Sequence, residues 1–263
     1  MLQGVSHRFD HALVRTPADS VVRGLSNAGL GAPDPAIFRE EHALYVAALE
    51  RLGLAVEILP PLEAYPDSVF VEDTACCLPE GAVLLRPGAP SRRGEAEALE
   101  PALRRHYGDL STLSAGHIDG GDVLVTERGI LVGDSGRTDE AGFAAFRDAV
   151  ARWGYEARRA AVPSGVLHFK TACGLLDEET ILATARLAEA ECLRPFRVLR
   201  TPGGEETAAN TVLINGVVLL STGFPRTAEM LDKAGYPLEI VPSFQAARVD
   251  GGLSCLSLRF RRP

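Results

Sequence analysis

Apolar positions along the chain fall into short runs separated by glycine- and proline-containing turns, with helical spacing between some of them. Phe38, His42, Tyr45, Leu49 and Leu52 recur at the three-to-four-residue spacing of an amphipathic helix over 36–53, with Gly53 ending it. Phe9–Arg15 reads as a short strand closed by Thr16-Pro17, and Val56–Leu59 as a buried strand. From there one order of elements recurs. A strand over 69–78 turns at Pro79-Glu80-Gly81 and returns over 82–86; the loop 87–91 delivers Arg92, and a helix follows from about 95 to 107. A strand over 117–125 turns at Glu127-Arg128-Gly129 and returns over 130–133; a loop delivers Arg137 and a helix covers about 140–153. A third unit runs 166–176, turns at 177–179 and returns over 181–184. A fourth runs 206–214, turns at Asn215-Gly216, a strong hairpin signal, returns over 217–221 and leads through Arg226 into a helix. A fifth opens on Gly251-Gly252-Leu253-Ser254-Cys255 and continues as the alternating strand Leu256-Ser257-Leu258-Arg259-Phe260; its missing return strand is supplied by Phe9–Arg15.

Five strand-turn-strand-helix units at a spacing of roughly 40–50 residues are the mark of a repeated architecture. If first and last strands pair, the units close into one α/β domain spanning 1–263 with pseudo-fivefold symmetry: a five-bladed ββαβ propeller. The segment 23–35, rich in Gly and Pro, is a loop of the length that functional lids use, with Leu25 or Leu30 as its apolar tip.

Composition narrows the classes. Of 263 residues, 46% are hydrophobic, ample for a packed core, and the formal charge of −8 leaves no broad basic surface for nucleic acid. The acidic balance suits a cationic ligand. Five cysteines in odd number and irregular spacing, with no CxxC, indicate reduced thiols in a cytoplasmic protein rather than a disulfide framework or a zinc site. The first residues lack the apolar core of a signal peptide, and no window approaches the ~20 apolar residues of a membrane span.

In a closed ring, equivalent positions converge on the axis. Near the start of each unit stand Glu72-Asp73, Asp119 with Asp122, His168, Asn210 and Cys255. Taken singly, each has a plainer explanation: a small buried cysteine, a satisfied core histidine, a turn aspartate, a solvated strand end. Together, a thiol, an imidazole and several carboxylates form a catalytic set, with Cys255 as nucleophile, His168 moving protons and Asp119 orienting it. The extra acids Asp67, Glu72 and Asp73 need a cationic partner if buried, and a guanidinium pairs well with carboxylates. Strict strand alternation would put Glu72 and Asp73 on opposite faces, so a bulge or turn is required there. Arg92 and Arg137 suit the carboxylate end of an amino acid.

Arg15-Thr16-Pro17, Pro66-Asp67-Ser68-Val69-Phe70-Val71-Glu72-Asp73, Arg86-Pro87-Gly88 with Ser91-Arg92-Arg93-Gly94-Glu95, Gly121-Asp122, Arg137-Thr138, Leu167-His168, Ala208-Ala209-Asn210 and Val249-Asp250-Gly251-Gly252 through Cys255 resemble, in order and over nearly the whole chain, the dimethylarginine dimethylaminohydrolase family of the amidinotransferase-like, or pentein, superfamily. The resemblance implies the five-bladed fold, hydrolysis of N-ω-methylated arginine to citrulline and methylamine or dimethylamine, and no metal or organic cofactor. It assigns Cys255, His168 and Asp119 to catalysis, and Leu25 (lid), Asp67, Glu72, Asp73, Arg92, Arg137 and Val249 to the substrate. Asp119 is shorter than the glutamate that also occurs at that place. The extension before Phe9 and the basic tail 259–263 carry no role. A related guanidine-modifying enzyme, such as an arginine deiminase or amidinotransferase, and a non-catalytic binding protein of the same fold are the competing readings; the expected partner is a small cationic amino acid, and the expected state a monomer or homodimer.

Overall fold

The computed structural model describes residues 4–27 and 29–262. Among the described residues fifteen strands form five three-stranded sheets, each built alike. β1 (His11–Arg15) pairs antiparallel with β15 (Leu258–Phe260), His11 opposite Phe260, and parallel with β2 (Ala55–Leu59). The other sheets repeat this order: β3 (Ala75–Leu78), β4 (Gly81–Leu84) and β5 (Leu110–Thr112); β6 (Val123–Thr126), β7 (Gly129–Asp134) and β8 (Ala157–Ala161); β9 (Cys173–Leu175), β10 (Thr180–Ala183) and β11 (Arg197–Arg200); β12 (Val212–Ile214), β13 (Val217–Ser221) and β14 (Leu238–Val241). In each, a hairpin is followed by a parallel third strand. Parallel pairing needs a crossover, and helices supply it. They are α1 (Pro35–Arg51), α2 (Glu95–Leu103), α3 (Glu140–Ala151) and α4 (Pro225–Lys233); the third module crosses over without an α-helix, through a 3₁₀ turn at Glu191–Leu193. A one-turn helix α5 (Phe244–Ala247) precedes the Cys255 segment. These are the five ββαβ modules expected, with N- and C-terminal strands pairing across the ends of the chain.

Helix starts are written locally. Asp34 caps α1, its carboxylate accepting from the N–H groups of Ala36 (2.8 Å) and Ile37 (3.1 Å), with Pro35 at the first helical position. Asp139 does the same for α3 through Gly142 N–H at 2.7 Å.

The entry to each module differs from the sequence expectation. The runs 69–78, 117–125, 166–170 and 206–214, and the segment holding Cys255, do not begin as strands. Each opens on a 3₁₀ turn, buried throughout at 71–74, 120–122 and 254–256 and partly exposed at 169–171 and 206–209. A turn of three or four residues leading straight into a buried strand is too short to show a period of its own and reads as part of that strand. Successive turns pack on one another, 254–256 on 71–74, on 120–122, on 169–171, on 206–209. The Asn210 side chain closes the circle, its Nδ2 donating to Ser254 Oγ (3.0 Å) and its Oδ1 accepting from Ser254 N–H (3.0 Å). The five turns therefore ring one axis. Among the described residues no helix is long and apolar enough to cross a membrane.

Candidate active site

The ring of turns brings the acids, the imidazole and the thiol together. His168 precedes its turn in extended conformation, and its Nε2 lies 2.9 Å from Asp119 Oδ2. Asp119 Oδ1 accepts from Gly88 N–H at 2.7 Å, and Arg137 approaches Oδ2 at 3.7 Å. Asp119 is fully buried and His168 nearly so. One polar atom each of Asp73, Asp119 and His168 lie within 4.8 Å of one another. Gly121 passes so close that a Cβ there would come 2.6 Å from His168 Nδ1, while its N–H donates to Asp73 Oδ1 at 2.8 Å. Asp122 braces the same turn, its Oδ1 accepting from Phe169 N–H (2.9 Å) and its Oδ2 from Thr138 Oγ1 (2.7 Å). The trio has cation-binding geometry, but Arg92, Arg137 and backbone N–H groups already occupy its carboxylates, an arrangement suited to proton transfer and to a guanidinium.

The charges follow from this packing. Burial works against a charged His168, but Asp73, the hydrogen bond to Asp119 and then Asp122 outweigh it and lift the imidazole to about 9. Burial likewise opposes the Asp73 charge, yet Arg92 and then His168 hold that carboxyl down at about 2. Cys255 is pushed up to about 12, first by burial and then by Glu72 and Asp73. At neutral pH the ring of turns thus holds an imidazolium at His168 and a neutral thiol at Cys255.

Cys255 lies in the 254–256 turn rather than at the mouth of a strand. Its approach is tightly built. Neither Gly251 nor Gly252 uses a positive φ; that conformation falls to Asp250 (φ 57°). The glycines serve close approach instead. A Cβ on Gly251 would come 2.2 Å from the Phe70 ring, and one on Gly252 2.4 Å from Asn210 Oδ1. Tyr45 of α1 holds the same turn, its hydroxyl donating to the Leu253 carbonyl at 2.9 Å.

The remaining residues expected at the site divide into three groups. Leu25 N–H donates to Asp67 Oδ1 at 2.9 Å, and a Cβ on the adjoining Gly24 would meet both Asp67 and Val249, so Leu25, Asp67 and Val249 converge. Burial raises the Asp67 carboxyl. The loop bearing Leu25 is fastened to the segment before Cys255: Ser26 Oγ donates to the Arg248 carbonyl (2.6 Å) and Asn27 N–H to Asp250 Oδ2 (2.6 Å). Leu30 stays exposed, and Ala28 of this loop lies outside the described residues.

Arg92 occupies the second group and is not an open arginine here. It is buried, ion-paired through NH1 to Asp73, and bonded through Nε (3.1 Å to either oxygen) and NH2 (2.6 Å) to Glu95; NH2 also reaches the carbonyl of Phe70 (2.9 Å). Burial works against its charge, but Glu95 and Asp73 more than offset this and hold the guanidinium well above its ordinary range. Glu95, unremarked as a functional residue in the sequence, is the missing partner. Arg92→Met would leave two buried carboxylates unpaired and is expected to cost about 3–5 kcal/mol in urea unfolding; a loss below about 1 kcal/mol would show that the arginine is dispensable to the fold. Arg137, by contrast, is half-buried beside Asp119.

Glu72 forms the third group. The required turn exists at 71–74, but the two acids still part company: Glu72 Oε1 meets Lys170 Nζ at 2.7 Å and Arg259 NH2 at 2.8 Å, away from the Asp73 partners. Lys170 and Arg259 carry no site signal in the sequence, because what marks them is a partner 98 and 187 residues away.

Comparison with known proteins agrees with this geometry. The family model described as N,N dimethylarginine dimethylhydrolase, eukaryotic, matches residues 35–165. An N(G),N(G)-dimethylarginine dimethylaminohydrolase from Pseudomonas aeruginosa is 36% identical over 254 residues, covering 96% of this chain and 100% of the relative. The chain belongs to the dimethylarginine dimethylaminohydrolase family. The solved Pseudomonas aeruginosa member of that family, a Cys-to-Ser variant complexed with citrulline, superposes with a TM-score of 0.93 at 35% identity over 96% of this chain and 100% of its own. A solved His-to-Gly dimethylarginine dimethylaminohydrolase, an adduct with S-methyl-L-thiocitrulline, matches equally well, with a TM-score of 0.93 at 35% identity and the same coverage.

Proposed function

We infer that this chain is a dimethylargininase, hydrolysing N-ω-methylated arginine to citrulline and dimethylamine or methylamine. The observation that carries the reading is the His168–Asp119 pair, held within 4.8 Å of Asp73 on the same ring of turns that bears Cys255. The relatives crystallised with citrulline and with S-methyl-L-thiocitrulline support the substrate class.

In this reading Asp73 receives the substrate guanidinium, and the incoming positive charge lowers the cost of ionising the Cys255 thiol, which burial and two carboxylates otherwise keep protonated; the thiol proton leaves to solvent, since His168 already carries its own. The thiolate adds to the guanidinium carbon. His168, already an imidazolium, gives its proton to the departing amine as the C–N bond breaks, leaving an S-alkylthiouronium on Cys255. The neutral imidazole then takes a proton from water, whose oxygen adds to the same carbon; collapse releases citrulline and returns the sulfur. Asp119 fixes the ring through Nε2, and Nδ1, which has no hydrogen-bond partner among the described residues, is the nitrogen free to exchange the proton. Asp67, Leu25 and the backbone at Val249 take the amino-acid end, with Arg137 for the carboxylate. Arg92 acts through Asp73, holding it charged and in place, and Glu72 acts from the far side. Phe70, buried against Gly251, is the apolar wall for the methyl groups. Five free cysteines support a reducing, cytoplasmic setting.

The direct test is citrulline release from dimethylarginine, monomethylarginine and arginine by the purified protein. Release from the methylated substrates at a kcat/KM well above that for arginine is the expected result. A preference for arginine would move the chain to a deiminase on the same fold, and no citrulline from any of the three would overturn the reading.

A further inference from the structure

Glu72 is a buried carboxylate with two cations on one oxygen, and the two are held differently. Arg259 is built into the fold: NH1 donates to the carbonyls of Ser254 (2.9 Å) and Ser257 (2.8 Å) and to Ser257 Oγ (2.7 Å), so it braces the nucleophile's turn while NH2 reaches Glu72. The Lys170 ammonium has a single polar partner among the described residues, Glu72 Oε1 at 2.7 Å, while its backbone carbonyl accepts from Asn210 Nδ2 (2.9 Å). Glu72 Oε2 is buried with no hydrogen-bond partner there. Both Glu72 and Lys170 line a chamber of about 110 Å³ walled also by Cys76, Cys173 and Thr211; Asp119, His168 and Cys255 do not line it. Lys170 therefore faces the chamber from the 169–171 turn itself, two residues beyond His168, and its ammonium is bonded to Glu72 rather than to Asp119, His168 or Cys255.

We propose that Lys170 is a positioning residue for the nucleophile: seated on Glu72, it cancels the carboxylate charge that a Cys255 thiolate would otherwise face. The turns carrying Glu72-Asp73 and Ser254-Cys255 pack directly on each other, so the charge is close enough to matter. After burial, Glu72 is the strongest influence keeping the thiol protonated, ahead of Asp73. The other titratable or charged groups on these elements are Asp73 from the same turn, Asp119 and Asp122 from 119–122, His168 from the lysine's own segment, Arg259 and Tyr45 around Glu72, and the thiols Cys76 and Cys173 beside the chamber. None of them except Arg259 pairs with Glu72, and Arg259 cannot leave without dismantling the turn. Glu72, Lys170 and Arg259 together carry one net positive charge. Removing Lys170 takes the cluster to neutral, removing Glu72 takes it to two positive, and removing both restores one.

That count fixes an order for the experiment. The proposal rests on the assignment of Cys255 as the reacting thiol only for its consequence in turnover, so the readout is the thiol itself. It is the pH dependence of iodoacetamide alkylation at Cys255, followed by mass spectrometry of the Cys255 peptide in the substrate-free protein. Lys170→Met is expected to move the alkylation midpoint up by about one pH unit or more, Glu72→Gln to move it down, and the double variant Glu72→Gln/Lys170→Met to return it to the wild-type position. Lys170→Arg, which keeps the charge, is expected to leave the midpoint in place. A folded Lys170→Met with the wild-type midpoint overturns the proposal. So does a double variant titrating as high as an uncompensated Glu72 requires, and this pair, having no unpaired buried carboxylate, decides the matter if Lys170→Met alone fails to fold. The same ordering in the rising limb of kcat/KM against pH is expected if Cys255 carries the reaction. The alkylation order appearing without it would leave the role of Lys170 standing and overturn the nucleophile assignment instead.

Discussion

Cys255→Ser is expected to abolish citrulline release while leaving the fold intact. The exchange is nearly isosteric, and the turn is held by contacts that do not involve the sulfur: Asn210 to Ser254, Tyr45 to the Leu253 carbonyl, and Arg259 to the carbonyls of Ser254 and Ser257. A serine hydroxyl, by contrast, ionises too reluctantly to replace a thiolate in a site whose carboxylates already oppose negative charge at that position. The loss in kcat should reach on the order of a thousandfold or more, with thermal unfolding close to wild type. A variant retaining more than a few per cent of the rate would remove Cys255 from the reaction; a variant that unfolds would show the sulfur to be a packing atom. Unchanged binding of citrulline to the inactive protein would separate lost chemistry from lost site.

His168→Gln is expected to cost about 10²–10⁴ in kcat, the range of a lost general acid. The amide keeps a donor toward Asp119 but has no proton to lend at neutral pH. The pH profile distinguishes this from mere damage. Because Asp73 and Asp119 lift His168 to about 9, the wild-type enzyme should lose kcat as pH rises through about 9 in the substrate complex, where the thiol is already ionised and the imidazole no longer carries a proton for the leaving amine. The residual activity of His168→Gln should lack that alkaline fall. Stability follows the same sign. The imidazole is raised above its ordinary 6.5, so its contribution is fully present below pH 6.5 and is lost as pH climbs to about 9. The stability difference between wild type and His168→Gln should therefore shrink across that interval. A difference that grows with pH would mean that the histidine is held neutral.

Much of this was legible because the repeated information is local. Hairpin turns at 79–81, 127–129, 177–179 and 215–216 stand where the sequence places them, and so do the helix expected over 36–53, observed over Pro35–Arg51, and the pairing of the first strand with the last. The third strand of most modules was not legible. β5 has three residues, β8 reads Ala157-Arg158-Arg159-Ala160-Ala161, and β11 and β14 are four residues each, too short and too half-exposed for alternation to register. The Cys255, His168, Asp73 and Asp119 positions stood out as polar residues in otherwise apolar runs, and the 3₁₀ turns that carry or adjoin them did not, because three or four residues are too few to show a period of their own.

By itself, the sequence determined the fivefold repeat, the identity of the groups on the axis and the family motifs, since each depends on residues near one another in the chain. Tertiary structure alone decided the electrostatics. Arg92 reads as a free loop arginine until Glu95 and Asp73 are seen to enclose it. Glu72 and Asp73 read as a pair until folding sends one to Lys170 and Arg259 and the other to Arg92 and Gly121. Charges interact through space at distances of a few ångströms, while the residues that meet here are separated by up to 187 positions, so no local pattern records which carboxylate meets which cation.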